Sequence, residues 1–178
     1  MGRWEPDRCF DRISSIDIAH DLLDCGLTCA LIDIDNTLRS RADGLVPQDV
    51  RDWLADAQAK GVAMCLLSNN FHQNVSELAA ELGLPCVGKA LKPLPFGFSR
   101  AMRKMHAEKG EVVVIGDQLE TDIFGAKSLG LTAYLVAPLA DTDLWYTRLI
   151  RKLEARVLSK RPQKGESEPV PAFTRSRE

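Results

Sequence analysis

The sequence predicts an α/β protein built on a single doubly wound, mostly parallel sheet of five strands, and three observations carry that prediction. Short apolar runs rich in Val, Ile and Leu alternate with longer segments of helical period, as in parallel sheets covered on both faces. Each run ends in polar or glycine-rich sequence. Gly61, Gly83, Gly110 and Gly130 stand where the helical segments should stop.

The strands are read at Cys29 to Asp33, Val62 to Leu67, a short one at Cys86 to Gly88, Val112 to Gly116, and Thr132 to Val136. Helices are read near Pro47 to Lys60, Gln73 to Leu82, Phe96 to Glu108 and Thr121 to Leu129. The first opens on Pro47 and carries Asp49 in its first turn, where a helix tolerates proline and favours negative charge. Past Pro138 a final amphipathic helix is expected at about 142–159, and the polar, proline-containing residues 162–178 are expected to form a disordered tail. The domain proper is therefore 1–161.

A chain of 178 residues, 45% of them hydrophobic, suffices for one domain with a core and leaves too little for a second. A formal charge of −2 argues against wrapping nucleic acid by global charge. Five cysteines, at 9, 25, 29, 65 and 86, form no CxxC pair and fit neither a disulfide framework nor a zinc site. Cys65 reads as core filler inside a strand. No export signal precedes the domain and no apolar stretch reaches the roughly 18 residues of a membrane span, so a cytoplasmic protein is expected.

The chemistry gathers at the strand ends. In CALIDIDNTL an apolar strand terminates in Asp33 and Asp35, spaced so that both side chains leave an extended backbone on one side. Carboxylates beyond the carboxyl end of a buried parallel strand lie where open α/β sheets bind ligands. Their repulsion must be offset by a divalent cation or by a proton on one of them. An Asp pair can equally form a turn or a helix cap.

The next strand ends in Ser68-Asn69-Asn70, either a turn or a hydroxyl and amides that hold a phosphoryl oxygen. After the third comes Lys92-Pro93, an ordinary surface charge or an ammonium for a transferring phosphoryl group. The fourth, VVVIG, runs into Asp117-Gln118-Leu119-Glu120-Thr121-Asp122. Each feature alone has a bland reading. Four in order, each directly after a strand, do not share one.

DIDNTL, LLSNN, LKP and IGDQLETD resemble the four motifs of the haloacid dehalogenase superfamily of phosphatases, with its Rossmann-like sheet. More narrowly, DIDNTL, SNN, GDQLETDIFGAKSLG and a later Asp-x-x-x-Thr-Arg resemble the YqeG-type phosphatases of subfamily IIIA, related to mitochondrial phosphatidylglycerophosphate phosphatase. The resemblance covers roughly Ile13 to Leu158. It departs in the loop Arg39 to Val46, which carries arginines and Gly44.

By that resemblance Asp33 is the nucleophile that forms an aspartyl-phosphate, and Asp35 the acid that protonates the leaving oxygen and then the base for water. Magnesium would be held by Asp33, the Asp35 main-chain carbonyl and Asp117, with Asp122 either a further ligand or orienting the ion through water. Lys92, Ser68 and backbone amides near Ile34 and Asn69 would meet the phosphoryl oxygens, and Thr37 would tie the loop after the nucleophile. His20, His72 and His106 sit apart and are assigned no role.

Two clues bear on substrate. The slots in which superfamily members carry a cap are short here, Leu38 to Val46 and Lys89 to Leu91, so a capless site is expected, open to a phosphate carried on something large. Residues 145–164 hold seven basic side chains against Glu154, a local charge of +6, with Tyr146, Leu149, Ile150, Leu153 and Val157 at helical spacing. Such a helix suits peripheral contact with an anionic inner membrane face, and phosphatidylglycerophosphate as substrate. The same helix could instead pack on its own domain or bind RNA. Rival readings are a phosphatase for a nucleotide, sugar phosphate or phosphoprotein, a receiver-like module, and a non-catalytic RNA- or ribosome-associated binding protein.

Overall fold

The computed structural model describes residues 2–70 and 73–139, and the helix and tail expected beyond residue 140 lie outside them. Six strands form one parallel sheet in the order β1-β6-β5-β2-β3-β4: β1 Arg8–Phe10, β2 Cys29–Asp33, β3 Ala63–Leu67, β4 Cys86–Val87, β5 Val112–Gly116 and β6 Thr132–Val136. Helices α1 Gln48–Ala59, α2 Gln73–Glu81, α3 Pro95–Met105 and α4 Phe124–Ser128 fill the crossovers. The class is the one expected, with one strand more.

That extra strand, β1, is three residues long and carries no periodic signal. Its order comes from its partners. It pairs with β6 from Arg8↔Tyr134 to Phe10↔Val136. Just before it, the Asp7 carboxylate accepts from the Lys127 ammonium at 2.8 Å and from the Ala133 amide at 2.8 Å.

Two helix boundaries also differ. Helix α3 stops at His106, which takes a positive φ of 53°, not near Gly110. Glu108 and Glu111 cap a tight turn over Lys109–Glu111 reciprocally, and Gly110 falls inside it. The helix expected from Thr121 begins as a wide π-type turn, Leu119–Ile123, and becomes α-helical only at Phe124.

Alternation along β2 explains the two-layered core. Ala30 and Ile32 face one hydrophobic layer with Trp53 and Leu54 of α1 and Leu78 of α2. Cys29 and Leu31 face the other, with Cys65, Phe98 of α3 and Ala126 of α4. Each buried aliphatic side chain contributes about 1.5–3 kcal/mol, so β2 is anchored on both faces before it reaches its carboxylates. From β2 the chain winds one way through β3 and β4, then returns to β5 on the other side. The crevice at this reversal opens between the carboxyl ends of β2 and β5.

Candidate active site

Asp33 closes β2 and Asp117 follows β5, so the two carboxylates face each other across the reversal point. Asp122 joins them from the wide turn, fully buried, its Oδ2 accepting from the Gln118 amide at 3.2 Å. Only glycine permits this approach: a Cβ on Gly116 would lie 2.3 Å from Asp122 Oδ2. One oxygen from each of Asp33, Asp117 and Asp122 lies within 4.8 Å of the others.

Lys92 reaches the same point from the segment after β4. Its ammonium donates to Asp33 Oδ1 and, at 2.6 Å, to Asp122 Oδ1. Asn69 fixes the lysine from the neighbouring strand end. Its carboxamide donates to the Lys92 carbonyl at 3.0 Å and accepts from the Lys92 amide at 2.7 Å.

Three buried carboxylates face one ammonium, and burial acts on Asp33, Asp117 and Lys92. It pushes the Asp33 carboxyl up to about 8, helped by the Asp122 charge and opposed by Lys92. Burial and the same Asp122 charge raise Asp117 to about 6. Burial alone would lower Lys92, but the charges of Asp122 and Asp33 outweigh it and hold the ammonium above its ordinary pKa.

Asp33 Oδ2 and Asp117 Oδ1 are buried with no hydrogen-bond partner among the described residues. Unpartnered oxygens on two carboxylates of one cluster fit a hard divalent cation.

Asp35 does not join this cluster through its side chain. Its Oδ1 accepts from Arg39 Nε at 3.1 Å and a terminal Arg39 nitrogen at 3.0 Å, and its Oδ2 from Asn70 Nδ2 at 2.7 Å. Sequence reasoning missed both partners. Arg39 stands four residues beyond Asp35 and Asn70 two beyond Ser68, but only the folded turn brings them together. Ser68 is buried, and its Oγ accepts from the Asn70 amide at 3.1 Å, which leaves its proton to donate.

The turn after Asp33 is held differently from expectation. Thr37 is buried, but its hydroxyl has no partner among the described residues. Asn36 does the tying, at a φ of 64° that asparagine tolerates. Its amide donates to the Arg39 carbonyl at 2.7 Å, its Oδ1 accepts from the Arg41 amide at 3.2 Å, and its carbonyl accepts from the Leu139 amide at 2.8 Å. Ile34 is fully buried, its carbonyl accepting from the Leu38 and Arg39 amides.

Asp33, Asp35, Arg41, Ser68, Asn69, Asn70, Lys92, Gln118 and Thr121 line a cavity of about 90 Å³. That is room for a phosphoryl group and a few waters. A larger cavity of about 420 Å³, at the far end of α3, is lined by Met102, Arg103, His106 and Lys109 and includes no carboxylate. Helix α3 begins near the carboxyl ends of the strands and ends near the amino ends, so this cavity lies on the opposite edge of the sheet. His20 is exposed and distant in sequence from these elements, and His72 lies outside the described residues. No cap intervenes between β2 and α1, or between β4 and Lys92.

Comparisons with known proteins agree with this geometry. Residues 8–130 match the family model described as haloacid dehalogenase-like hydrolase. The chain is 36% identical over 135 residues to the probable phosphatase YqeG of Bacillus subtilis, covering 76% of this chain and 78% of the relative. Among solved structures it resembles the NagD protein of E. coli K-12, with a TM-score of 0.54 at 14% identity over 66% of this chain and 98% of that one. It also resembles the cobalt-bound deoxy-D-mannose-octulosonate 8-phosphate phosphatase YrbI of Haemophilus influenzae, with a TM-score of 0.52 at 14% identity over 75% and 88%. At such identities the structural likenesses speak for the fold alone.

Proposed function

The chain belongs to the haloacid dehalogenase-like hydrolases as a YqeG-type phosphatase, and from that premise we propose that it hydrolyses phosphatidylglycerophosphate at an anionic membrane surface, through an aspartyl-phosphate on Asp33. The observation that carries the chemistry is the convergence of Asp33, Asp117, Asp122 and Lys92, with two carboxylate oxygens left unpartnered.

Asp33 attacks phosphorus in line, one oxygen held by Lys92 so that the carboxylate cannot rotate away. Lys92 and the Ser68 hydroxyl meet the phosphoryl oxygens as charge develops on them. Asp35, oriented by Arg39 and Asn70, protonates the leaving oxygen and then takes a proton from the water that cleaves the aspartyl-phosphate. Asp122 keeps the Lys92 ammonium in place.

Asp33 and Asp117, with Asp122 beside them and the Asp35 main-chain carbonyl, would hold Mg²⁺. Bound there, the ion supplies positive charge to the transferring phosphoryl group and relieves the repulsion among the carboxylates.

Three features support a lipid surface. The cavity accepts little beyond the phosphoryl group, so the rest of the substrate stays outside. Leu91, Leu94 and Phe96 flank Lys92 and are 56%, 50% and 63% exposed, with the Leu94 amide closing a turn onto the Leu91 carbonyl at 2.8 Å. Large apolar side chains so exposed beside an anion site suit a ligand that is charged at one end and oily at the other. The basic run at 145–164 adds attraction to anionic lipid. No helix among the described residues is long and apolar enough to cross a membrane.

The test is magnesium-dependent phosphate release from phosphatidylglycerophosphate in mixed micelles, beside a panel of soluble phosphate esters, with Asp33→Asn as control. Lipid-specific release that the substitution reduces on the order of 10⁴-fold is expected. Release from soluble esters alone would remove the lipid, and none from any substrate would remove the mechanism.

A further inference from the structure

We infer that Arg41 selects substrates by the leaving group: its guanidinium receives a second anionic group, a phosphate or phosphodiester, carried on the alcohol that departs past Asp35. The inference rests on the phosphatase reading and adds to it the chemistry of the other half of the substrate.

Two arginines leave the loop after β2, and they are used differently. Arg39 is half-buried and spent on Asp35, with two donors on one carboxylate oxygen. Arg41 is exposed, and its side chain forms no ion pair or hydrogen bond among the described residues. Yet it lines the same small cavity as Asp33, Asp35, Ser68 and Lys92. Its positive charge is felt at Asp117, across the mouth.

The loop holds Arg41 there by its backbone. Besides the Asn36 bond to the Arg41 amide, the Ser40 amide donates to the Leu45 carbonyl at 3.1 Å, and the Ala42 and Gly44 amides donate to the Ser40 hydroxyl and carbonyl at 3.1 and 2.9 Å. With the backbone already fixed by the closed loop, only the Arg41 side chain has to be ordered when it meets an anion.

Where the leaving group goes follows from the acid. Asp35 must stand beside the bridging oxygen to protonate it, so the departing alcohol passes over the loop that begins at Asp35. The transferring phosphoryl group already has Lys92 and Ser68. Arg41 is surplus to that need, and a neutral alcohol would offer its guanidinium only single, uncharged hydrogen bonds. A phosphate or phosphodiester one short carbon chain away would meet it in the two-pronged geometry that guanidinium favours. The rim beside it, Gln118 and Thr121, is polar and uncharged, the Thr121 hydroxyl bonded to the Gln118 carboxamide at 3.1 Å.

The experiment compares kcat/KM of the full chain, with Mg²⁺, on three soluble esters. These are glycerol 3-phosphate, with a neutral leaving group, glycerol 1,3-bisphosphate, and a glycerol phosphate joined through a phosphodiester to a second glycerol. Wild type should prefer one or both bis-anionic esters at least tenfold, and the two arms tell phosphate from phosphodiester. Arg41→Gln should collapse that ratio by about 10- to 100-fold, chiefly through KM, and Arg41→Lys should restore part of it. A wild type without the preference, or a variant that keeps it, overturns the inference. A variant that loses the same factor on all three also overturns it, because Arg41 would then serve the transferring phosphoryl group. Hydrolysis of no ester by wild type, the lipid included, would remove the phosphatase reading itself.

Discussion

Asp33 and Asp21 are acidic residues of nearly equal burial, 8% and 7% exposed, placed in opposite circumstances. At Asp21 every oxygen is answered. Oδ1 receives the Arg8 guanidinium, Oδ2 the Asp17 amide at 2.9 Å, and the main-chain carbonyl the Tyr134 hydroxyl at 2.6 Å. At Asp33 one oxygen meets Lys92 and the other meets nothing among the described residues, while two more carboxylates crowd in. A buried charge that is fully matched holds a chain in place. One left short of partners costs stability, and a fold keeps it where a ligand makes up the difference.

The largest expected effect follows from that shortfall. Asp33→Asn should abolish turnover yet leave the melting temperature of the metal-free protein unchanged or higher at pH 8, because it removes one of three crowded carboxylates. Scanning calorimetry on the purified variant beside wild type checks this. A fall of several degrees would mean that Asp33 is needed for the fold, and the contrast with Asp21 would break.

Magnesium sharpens the same contrast. Asp33 and Asp117, raised to about 8 and about 6, have folded-state values above their unfolded ones. The stability linked to their protons is therefore complete at low pH and is lost as pH rises to about 8. Metal binding must displace those protons, so the ion should stabilise more as pH rises. At a hundredfold excess over Kd the gain is about 2.7 kcal/mol, roughly 5–10 °C for a chain of this size. Thermal scans with and without Mg²⁺ should show it at pH 8 and less than half of it at pH 5.5. An equal shift at both would mean that the ion binds elsewhere.

The N-terminal side should respond in the opposite sense. Asp21→Ala strands the Asp17 amide and the Arg8 guanidinium and should cost about 1–3 kcal/mol, read by urea denaturation. The kcat of the folded fraction should stay as it was. A loss of kcat without loss of stability would reverse the assignment of the two regions.

These two regions were also unequally legible in the sequence. Strand β2 was read to the residue because CALID is apolar on both faces and ends in charge, and Asp117 and Lys92 stood out because each follows a strand. Strand β1 was not, since Arg8–Phe10 has no period and exists only through its pairing with β6. Helix α3 was expected to run on to Glu108 because Gly110 looks like a stop, whereas His106 adopted the left-handed turn instead. Around the site, residue types announced which groups gather but not how they are held. Asn69 on the Lys92 backbone and Asn70 on Asp35 are hydrogen bonds between separate loops, which no local pattern encodes, and Arg39 meets Asp35 only because the turn between them closes. The basic helix expected at 142–159 lies outside the described residues.

The smallest expected effect tests the rule rather than the site. Thr37 is a threonine by chemistry and a valine by surroundings: it is 1% exposed, and its hydroxyl finds no partner among the described residues. If unmatched polar atoms at the end of β2 are retained for the reaction, Thr37→Val should raise stability by about 1 kcal/mol, since it replaces an unsatisfied hydroxyl by a methyl of similar volume. It should at the same time lower kcat several-fold, because the hydroxyl lies two residues beyond Asp35 in the turn proposed to accommodate the phosphoryl group. Denaturation and turnover measured on one preparation read both. A more stable enzyme with undiminished kcat would show that an orphaned hydroxyl here is only a tolerated flaw, and that the contrast between Asp33 and Asp21 concerns carboxylates and not polar atoms in general.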